Sequence, residues 1–241
     1  MLHRILNTKW GMKAVQHYLY QHPQAVGEAV RKWSNLNSRL PNCDVPSEVH
    51  GFEDLVFLFH LSKANYGVCL MELDEAACMY SLVKSLGKSR IAEVGRYKGG
   101  STVIMAAAHE GEFDSYDNHC PCEYYDGYGK TQKVEAEIYD EELKPVLEKL
   151  GLKVNLHFCN SHDIKPEGMY DLVFIDADHS YEGAKKDYLI WEPHIREGGY
   201  IVLHDAVNTR KISKCKTGVI QLAEEIPNRI KEVGSMVVFQ K

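Results

Sequence analysis

Glu93-Val-Gly-Arg-Tyr-Lys-Gly-Gly-Ser-Thr102 is the stretch on which the fold is decided: a short apolar run ends, glycines follow, and a helix-prone segment starts at once. Glycine lets a backbone approach a ligand closely, and free N–H groups at a helix start favour a carboxylate or phosphate. The spacing is G-x-x-x-G-G, not the dinucleotide G-x-G-x-x-G, and no phosphate-binding lysine follows. Gly87-Lys88-Ser89 is only superficially like the end of a phosphate loop, because Leu82 stands where the upstream glycine belongs and the triplet precedes a strand. Glu93, beside the turn, would repel a pyrophosphate and attract a cationic amino- or sulfonium-bearing group. Asp117, closing the next expected strand, is placed to accept hydrogen bonds from ribose hydroxyls. Two carboxylates and a glycine turn at neighbouring strand ends suit an adenosyl amino acid better than a nucleotide phosphate.

Outward from this turn, the chain after Arg90 alternates short apolar runs with amphipathic stretches, the pattern of a parallel sheet covered by helices. Strands are expected at Ile91–Gly95, Phe113–Asp117, Val154–Cys159, Asp171–Asp176, Tyr200–His204 and Met236–Gln240. Helices are expected at Ser101–Ala108, at Thr131–Leu150 with a break at Pro145 as an N1 residue, at Tyr181–Ile195 closed by Gly198-Gly199, and at Gly218–Glu225. Upstream, Asp74 is expected to cap a helix running to Gly87. Residues 1–70 are helix-prone without strand alternation, with Pro41–Glu48 the most linker-like stretch. The expected organisation is an N-terminal helical extension, 1–70, and an α/β domain, 71–241.

The composition fits that reading. In 241 residues, 44% apolar and 26% charged describe a globular mix, which rules out collagenous, mucin-like or wholly disordered chains. A net charge of −6 argues against a non-specific nucleic-acid or anionic-membrane binder. No apolar run approaches the ~20 residues that span a bilayer, and the charged N-terminus lacks a signal-peptide core. Seven cysteines, an odd number, fit a reduced, cytoplasmic chain better than a disulfide scaffold.

Three ordered motifs resemble those of class I S-adenosylmethionine-dependent methyltransferases: E-x-G-x-x-x-G-G-S-T at Glu93–Thr102, IDADHSYEGAKKD at Ile175–Asp187, and His204-Asp205 after the Gly198-Gly199 pair. The resemblance spans roughly residues 72–241. It implies a Rossmann-like seven-stranded sheet, order 3-2-1-4-5-7-6 with strand 7 antiparallel and helices on both faces, and S-adenosyl-L-methionine as cofactor. It further implies that Glu93, Gly95, Arg96 and Tyr97 surround the methionine part, with Ser101 bonding its carboxylate. Asp117 would hold the ribose, Asn118, Ser161 and His162 would line the adenine, and Asp176 would face the methionine amino group or a metal.

For chemistry, His179 is the expected base for O-methyl transfer, since a histidine titrating near neutrality suits removal of the acceptor proton. The alternative is that it caps or packs under the following helix. In metal-dependent relatives a D-A-D-K segment puts lysine where His179 falls, and a divalent ion is held by an acid matching Asp176 and an Asp-Asn pair after strand five. Here that pair is Asp205-Ala206 or His204-Asp205, so Asp176, His204 and Asp205 form a possible ligand set for manganese, iron or zinc. His204 is equally a candidate second acid/base group oriented by Asp205.

His119-Cys120-Pro121-Cys122 is a weak zinc signal because no second ligand pair matches it. The Asn118–Lys130 excursion, with Tyr124, Tyr125 and Tyr128, is expected to form a lid. Trp10, Trp33 and the apolar run Phe52–Leu61 are expected to pack on the domain or on a second subunit, and the resemblance implies a homo-oligomer. The resulting expectation is O-methylation of a small-molecule acceptor, without nucleic-acid or membrane partners. The rivals are a nicotinamide-dependent oxidoreductase, which needs the absent G-x-G-x-x-G turn, and a scaffold that binds an adenosyl ligand without turnover.

Overall fold

The computed structural model describes residues 46–59, 69, 71–118, 123–125, 131–133, 137–208 and 218–241. The chain divides into two compact units, Met1–Cys43 with Glu123–Lys133, and Asp44–Cys122 with Val134–Lys241. Trp10, Trp33 and His119–Cys122 lie outside the described residues, as does Tyr128.

In the larger unit, helix α1 (Leu73–Leu86) leads into strand β1 (Lys88–Val94), then α2 (Gly100–Ala108) and β2 (Glu110–Asp117). In the smaller unit, β3 (Glu123–Tyr125) and β4 (Thr131–Lys133) pair as an antiparallel hairpin. The larger unit continues with α3 (Glu137–Lys149), β5 (Asn155–Phe158), β6 (Tyr170–Ile175), α4 (Tyr181–Trp191) and β7 (Ile195–Leu203). It ends with α5 (Gly218–Glu225), β8 (Arg229–Val233) and β9 (Met236–Gln240).

Seven strands form one sheet in the order β5-β2-β1-β6-β7-β9-β8. Strands β5, β2, β1, β6 and β7 run parallel, and β9 is antiparallel to both β7 and β8. Numbering the sheet's own strands in chain order gives 3-2-1-4-5-7-6, as expected. The central strands are apolar on successive residues because both faces are covered. One face packs Ala92, Val94, Val173, Ile175 and Leu203 against Trp191, Val219 and Leu222 from α4 and α5. Among the described residues no helix is long and apolar enough to cross a membrane.

Four expectations change. The stretch 131–150 is not one helix: residues 131–133 are strand, and α3 runs through Pro145 without restarting there. Pro145 is exposed, so water can replace the N–H it lacks. Helix α4 ends at Trp191, not Ile195, because a 3-10 turn containing Pro193 follows. Ile195 continues the apolar spacing of the helix but begins β7, which places Gly198 and Gly199 inside that strand. The N-cap of α1 is Glu72, not Asp74, and the Glu72 N–H donates to Glu75 Oε2 at 2.8 Å, leaving Asp74 in the first turn. Strand β8 was not expected, since Arg-Ile-Lys-Glu-Val is exposed along an edge and carries no apolar face.

Candidate active site

The parallel strands β1, β2, β6 and β7 all end at one edge of the sheet, where open α/β folds bind ligands. The Gly95 N–H donates to the Tyr116 carbonyl at 2.8 Å, and the Asp176 N–H to the Val94 carbonyl at 2.8 Å, which ties three strand ends together. Gly95 has φ +89°, and a Cβ there would collide with the Asp176 carbonyl oxygen. The glycine is therefore required by both conformation and space. Beyond it lies a small cleft of about 40 Å³, open to solvent, bounded by Met71, Gly95, Tyr97, Gly100, Ser101 and Asp176, with Arg96 and Lys98 also on its wall.

Glu93 does not reach that cleft. It is 0% exposed, and its carboxylate accepts hydrogen bonds from Ser101 Oγ at 2.5 Å, Thr102 Oγ1 at 2.6 Å and Ser115 Oγ at 2.6 Å. Burial pushes its carboxyl above the usual range, against the pull of those hydroxyls. The expected contact with a cofactor is thus corrected: Glu93 fastens the start of α2 beneath the turn. Ser101 stays on the cleft wall, but its hydroxyl proton goes to Glu93. Arg96 is likewise a strut at its side chain. Its guanidinium is buried, donating to Asp140 at 2.9 and 2.8 Å and to the Ser115 and His157 carbonyls at 3.0 Å.

Asp117 Oδ2 accepts the backbone N–H groups of Arg96 and Tyr97 at 2.9 and 2.8 Å, so the residue expected to hold ribose also shapes the glycine turn. Tyr97 pays for this turn with φ +50°. Asn118 follows as an exposed residue. Ser161 and His162 form a short 3-10 turn after β5, capped by Asn160 Oδ1, which accepts the His162 N–H at 2.9 Å. The His162 ring faces α4, with Nε2 at 3.3 Å from the Gly183 carbonyl and 3.6 Å from the buried Asp187. Burial lifts the Asp187 carboxyl to about 6, with Ser161 and His162 opposing. Neither Asn118, Ser161 nor His162 borders the cleft.

The ends of β6 and β7 assemble an acid–imidazole chain. His179 Nε2 lies 3.2 Å from Asp176 Oδ1, and its Nδ1 lies 3.6 Å from Asp205 Oδ2. His179 is 46% exposed at the side chain and Asp176 27%, so both are accessible to a ligand. The bond to Asp176 raises the His179 pKa, desolvation opposes it, and the Asp176 and Asp205 charges add to the rise. Asp176 itself is held below the carboxylate range, because its histidine partners outweigh burial. The Gly218 N–H donates to the His179 carbonyl at 2.9 Å, and Asp205 has φ +51°.

His204 is different. It is buried, with Nε2 at 3.1 Å from Glu75 Oε2 and Nδ1 at 3.5 Å from Asp176 Oδ1. Burial opposes its charge, but Asp176 and Glu75 hold its pKa up to about 11. Burial likewise opposes the charge on Glu75, and the bonds from His204, Ser235 and Glu72 pull that carboxyl down to about 2. With Nε2 turned to Glu75 and the ring buried, His204 is placed as a support for Asp176 and is not among the groups that converge for a metal. The set that converges is Asp176, His179 and Asp205, whose ligand atoms all lie within 4.8 Å of one another. Two carboxylates and one imidazole fit a divalent ion of the manganese, iron or zinc kind. Ala206, the other candidate after strand five, is buried and offers no ligand.

The Glu75 to His204 pair makes stability pH-dependent in a defined way. The Glu75 contribution is complete above about 4.5 and is lost as pH falls through about 2. The His204 contribution is complete below about 6.5 and is lost as pH rises through about 11. The Tm difference between wild type and Glu75→Gln is therefore expected to peak between these limits and shrink on both sides. A difference that stays flat from pH 3 to pH 10 contradicts the ion pair.

Sequence reasoning missed Met71 and Glu75, both upstream of the glycine turn. Glu75 did carry a signal, since a glutamate three residues into a helix reads as half of a capping box.

Comparison with known proteins agrees with this geometry. Residues 92–206 match the family described as Methyltransferase domain. Among curated proteins, an uncharacterized protein of Acanthamoeba polyphaga mimivirus is 27% identical over 96 residues, covering 40% of this chain and 36% of that one. Among solved structures, an O-methyltransferase from Bacillus cereus in complex with SAH is similar at TM-score 0.51 and 17% identity, covering 74% of this chain and 86% of that one. The O-methyltransferase NovP is similar at TM-score 0.53 and 13% identity, with 75% and 82% covered. A putative O-methyltransferase from Klebsiella pneumoniae is similar at TM-score 0.50 and 17% identity, with 88% and 98% covered. Residues 92–206, a little under half of the chain, are thus similar to a methyltransferase domain, and the fold is shared with O-methyltransferases of known structure. The chain's turn and its relatives leave the nicotinamide rival without support.

Proposed function

We propose that the protein transfers the methyl group of S-adenosylmethionine to an oxygen of a small-molecule acceptor, with His179 as the base. The observation that carries this reading is the Asp176 to His179 pair at the mouth of the cleft lined by Gly95 and Ser101. The glycine turn receives the amino-acid end of the cofactor, and Asp176 meets its ammonium group. Methyl transfer needs acceptor oxygen, methyl carbon and sulfur in line, so the walls of the cleft supply much of the rate by positioning. His179 takes the acceptor proton on one ring nitrogen while Asp176 steadies the ring through the other hydrogen bond or the imidazolium formed. That the Bacillus cereus protein and NovP are O-methyltransferases favours oxygen as the methylated atom.

The convergence of Asp176, His179 and Asp205 favours a second reading, in which these three hold a divalent ion. Such an ion would supply Lewis-acid polarisation of the acceptor oxygen. His179 would then be a ligand instead of the base. Formation of S-adenosylhomocysteine across a library of hydroxyl, amino and carbon acceptors, with and without chelator, tests both. Chelator-insensitive O-methylation supports His179 as base, and activity lost with chelator and restored by manganese or zinc supports the ion. Methyl transfer confined to nitrogen or carbon acceptors overturns the oxygen assignment.

A further inference from the structure

We infer that Glu75 is a positioning residue for the cofactor's amino-acid end, acting through His204 on Asp176. This rests on the reading that Asp176 meets the cofactor ammonium group, and needs no assumption about the acceptor. Glu75 lies in the first turn of α1, far from the strand ends in sequence and outside the segment 92–206. Its carboxylate is 1% exposed and fully engaged. Oε1 accepts the Ser235 N–H, and the Ser235 hydroxyl at 2.9 Å. Oε2 accepts the Glu72 N–H at 2.8 Å and faces His204 Nε2 at 3.1 Å.

The consequence lies at the other side of the ring. With Nε2 held by Glu75, His204 presents Nδ1 to Asp176 Oδ1 at 3.5 Å and to Asp205 Oδ2 at 3.8 Å. The Phe174 ring packs edge-on to the imidazole at 6.1 Å between centroids, which limits its rotation. Asp176 Oδ1 is thus approached by two imidazoles, the buried His204 and the exposed His179, and its carboxylate is fixed on the cleft wall. Helix α1 does not line the cleft, yet through His204 it sets where the Asp176 carboxylate stands.

Glu75→Gln isolates the effect. The amide oxygen can keep the Ser235 bonds, but the amide nitrogen opposes the Glu72 N–H and offers His204 Nε2 a neutral amide in place of the carboxylate, so the hold on the ring toward Asp176 weakens. The readout compares binding of S-adenosylhomocysteine with that of methylthioadenosine, which keeps the nucleoside and lacks the amino-acid group. Calorimetry is expected to show S-adenosylhomocysteine binding weakened about tenfold in Glu75→Gln, with methylthioadenosine changed less than about twofold. His204→Asn is expected to give the same selective loss, and the double variant no more than either single one. Ser235→Ala, which leaves the Glu75 carboxylate on His204, is expected to lower Tm without changing the ratio of the two affinities. Equal weakening of both ligands, no weakening of either, or additive losses in the double variant overturns the inference. Should Glu75→Gln fail to fold, the ratio measured in His204→Asn decides alone. Failure of O-methylation assays leaves these binding results untouched, so the two readings fail separately.

Discussion

His179→Ala is expected to lower turnover by about 10²- to 10⁴-fold, the usual contribution of a positioned proton acceptor, a far larger effect than any on S-adenosylhomocysteine affinity. The split follows from position. His179 stands 46% exposed at the mouth of the cleft and is bonded to Asp176, but it is not part of the cleft wall that receives the cofactor. The pH dependence should carry the same residue's signature. A base must be neutral to accept a proton, and Asp176 raises the His179 pKa, so kcat/KM is expected to fall with decreasing pH along a limb lying above the ordinary histidine value of 6.5. That limb should vanish in His179→Ala. Unchanged turnover, or an identical limb in the variant, rules His179 out as the base. A weakened response to added manganese or zinc in His179→Ala would assign it to an ion instead.

Gly95→Ala is expected to abolish measurable cofactor binding and to destabilise the domain. Left-handed backbone at φ +89° costs an alanine about 1–3 kcal/mol, and forcing its Cβ against the Asp176 carbonyl adds about 1–3 more. For a domain of this size about 2–6 kcal/mol corresponds to a Tm lowered by roughly 4–24 °C. Relief of the collision moves the end of β6, and with it Asp176 and His179, because the Asp176 N–H is anchored on the Val94 carbonyl. A variant whose Tm lies within 2 °C of wild type and which binds S-adenosylhomocysteine normally would show that the turn has slack the structure does not display.

The sheet was legible where its strands are buried on both faces. Continuous apolar runs such as Leu172–Ile175 made the central strands readable; β2 and β5 rested on weaker or alternating patterns, and the strand order rested on the resemblance. Strand β8 was not, because Arg229–Val233 earns its place by pairing with β9 and not by pattern. The end of α4 was misread for a similar reason: Ile195 sits at helical spacing from Trp191, and only Pro193 marks the change. At the site, the motifs correctly marked Gly95, Asp117, Asp176 and His179 as residues of the strand ends. They placed Glu93 and His204 in contact with ligand, where burial makes the first a fastening for α2 and sets the second between Glu75 and Asp176.

Sequence alone thus determined the class: a glycine turn after a buried strand, the acids Asp117 and Asp176 at the ends of two later strands, and a histidine three residues past the second. Local spacing carries that information, because a strand end and the turn after it are built from adjacent residues. The tertiary structure decided the division of labour among those residues. Whether a carboxylate touches a ligand or supports a neighbour depends on what lies opposite it across the fold. Glu75 meets His204 and Ser235 from distant parts of the chain. The desolvation and pairing that set their charges exist only once α1, β7 and the turn before β9 are packed together.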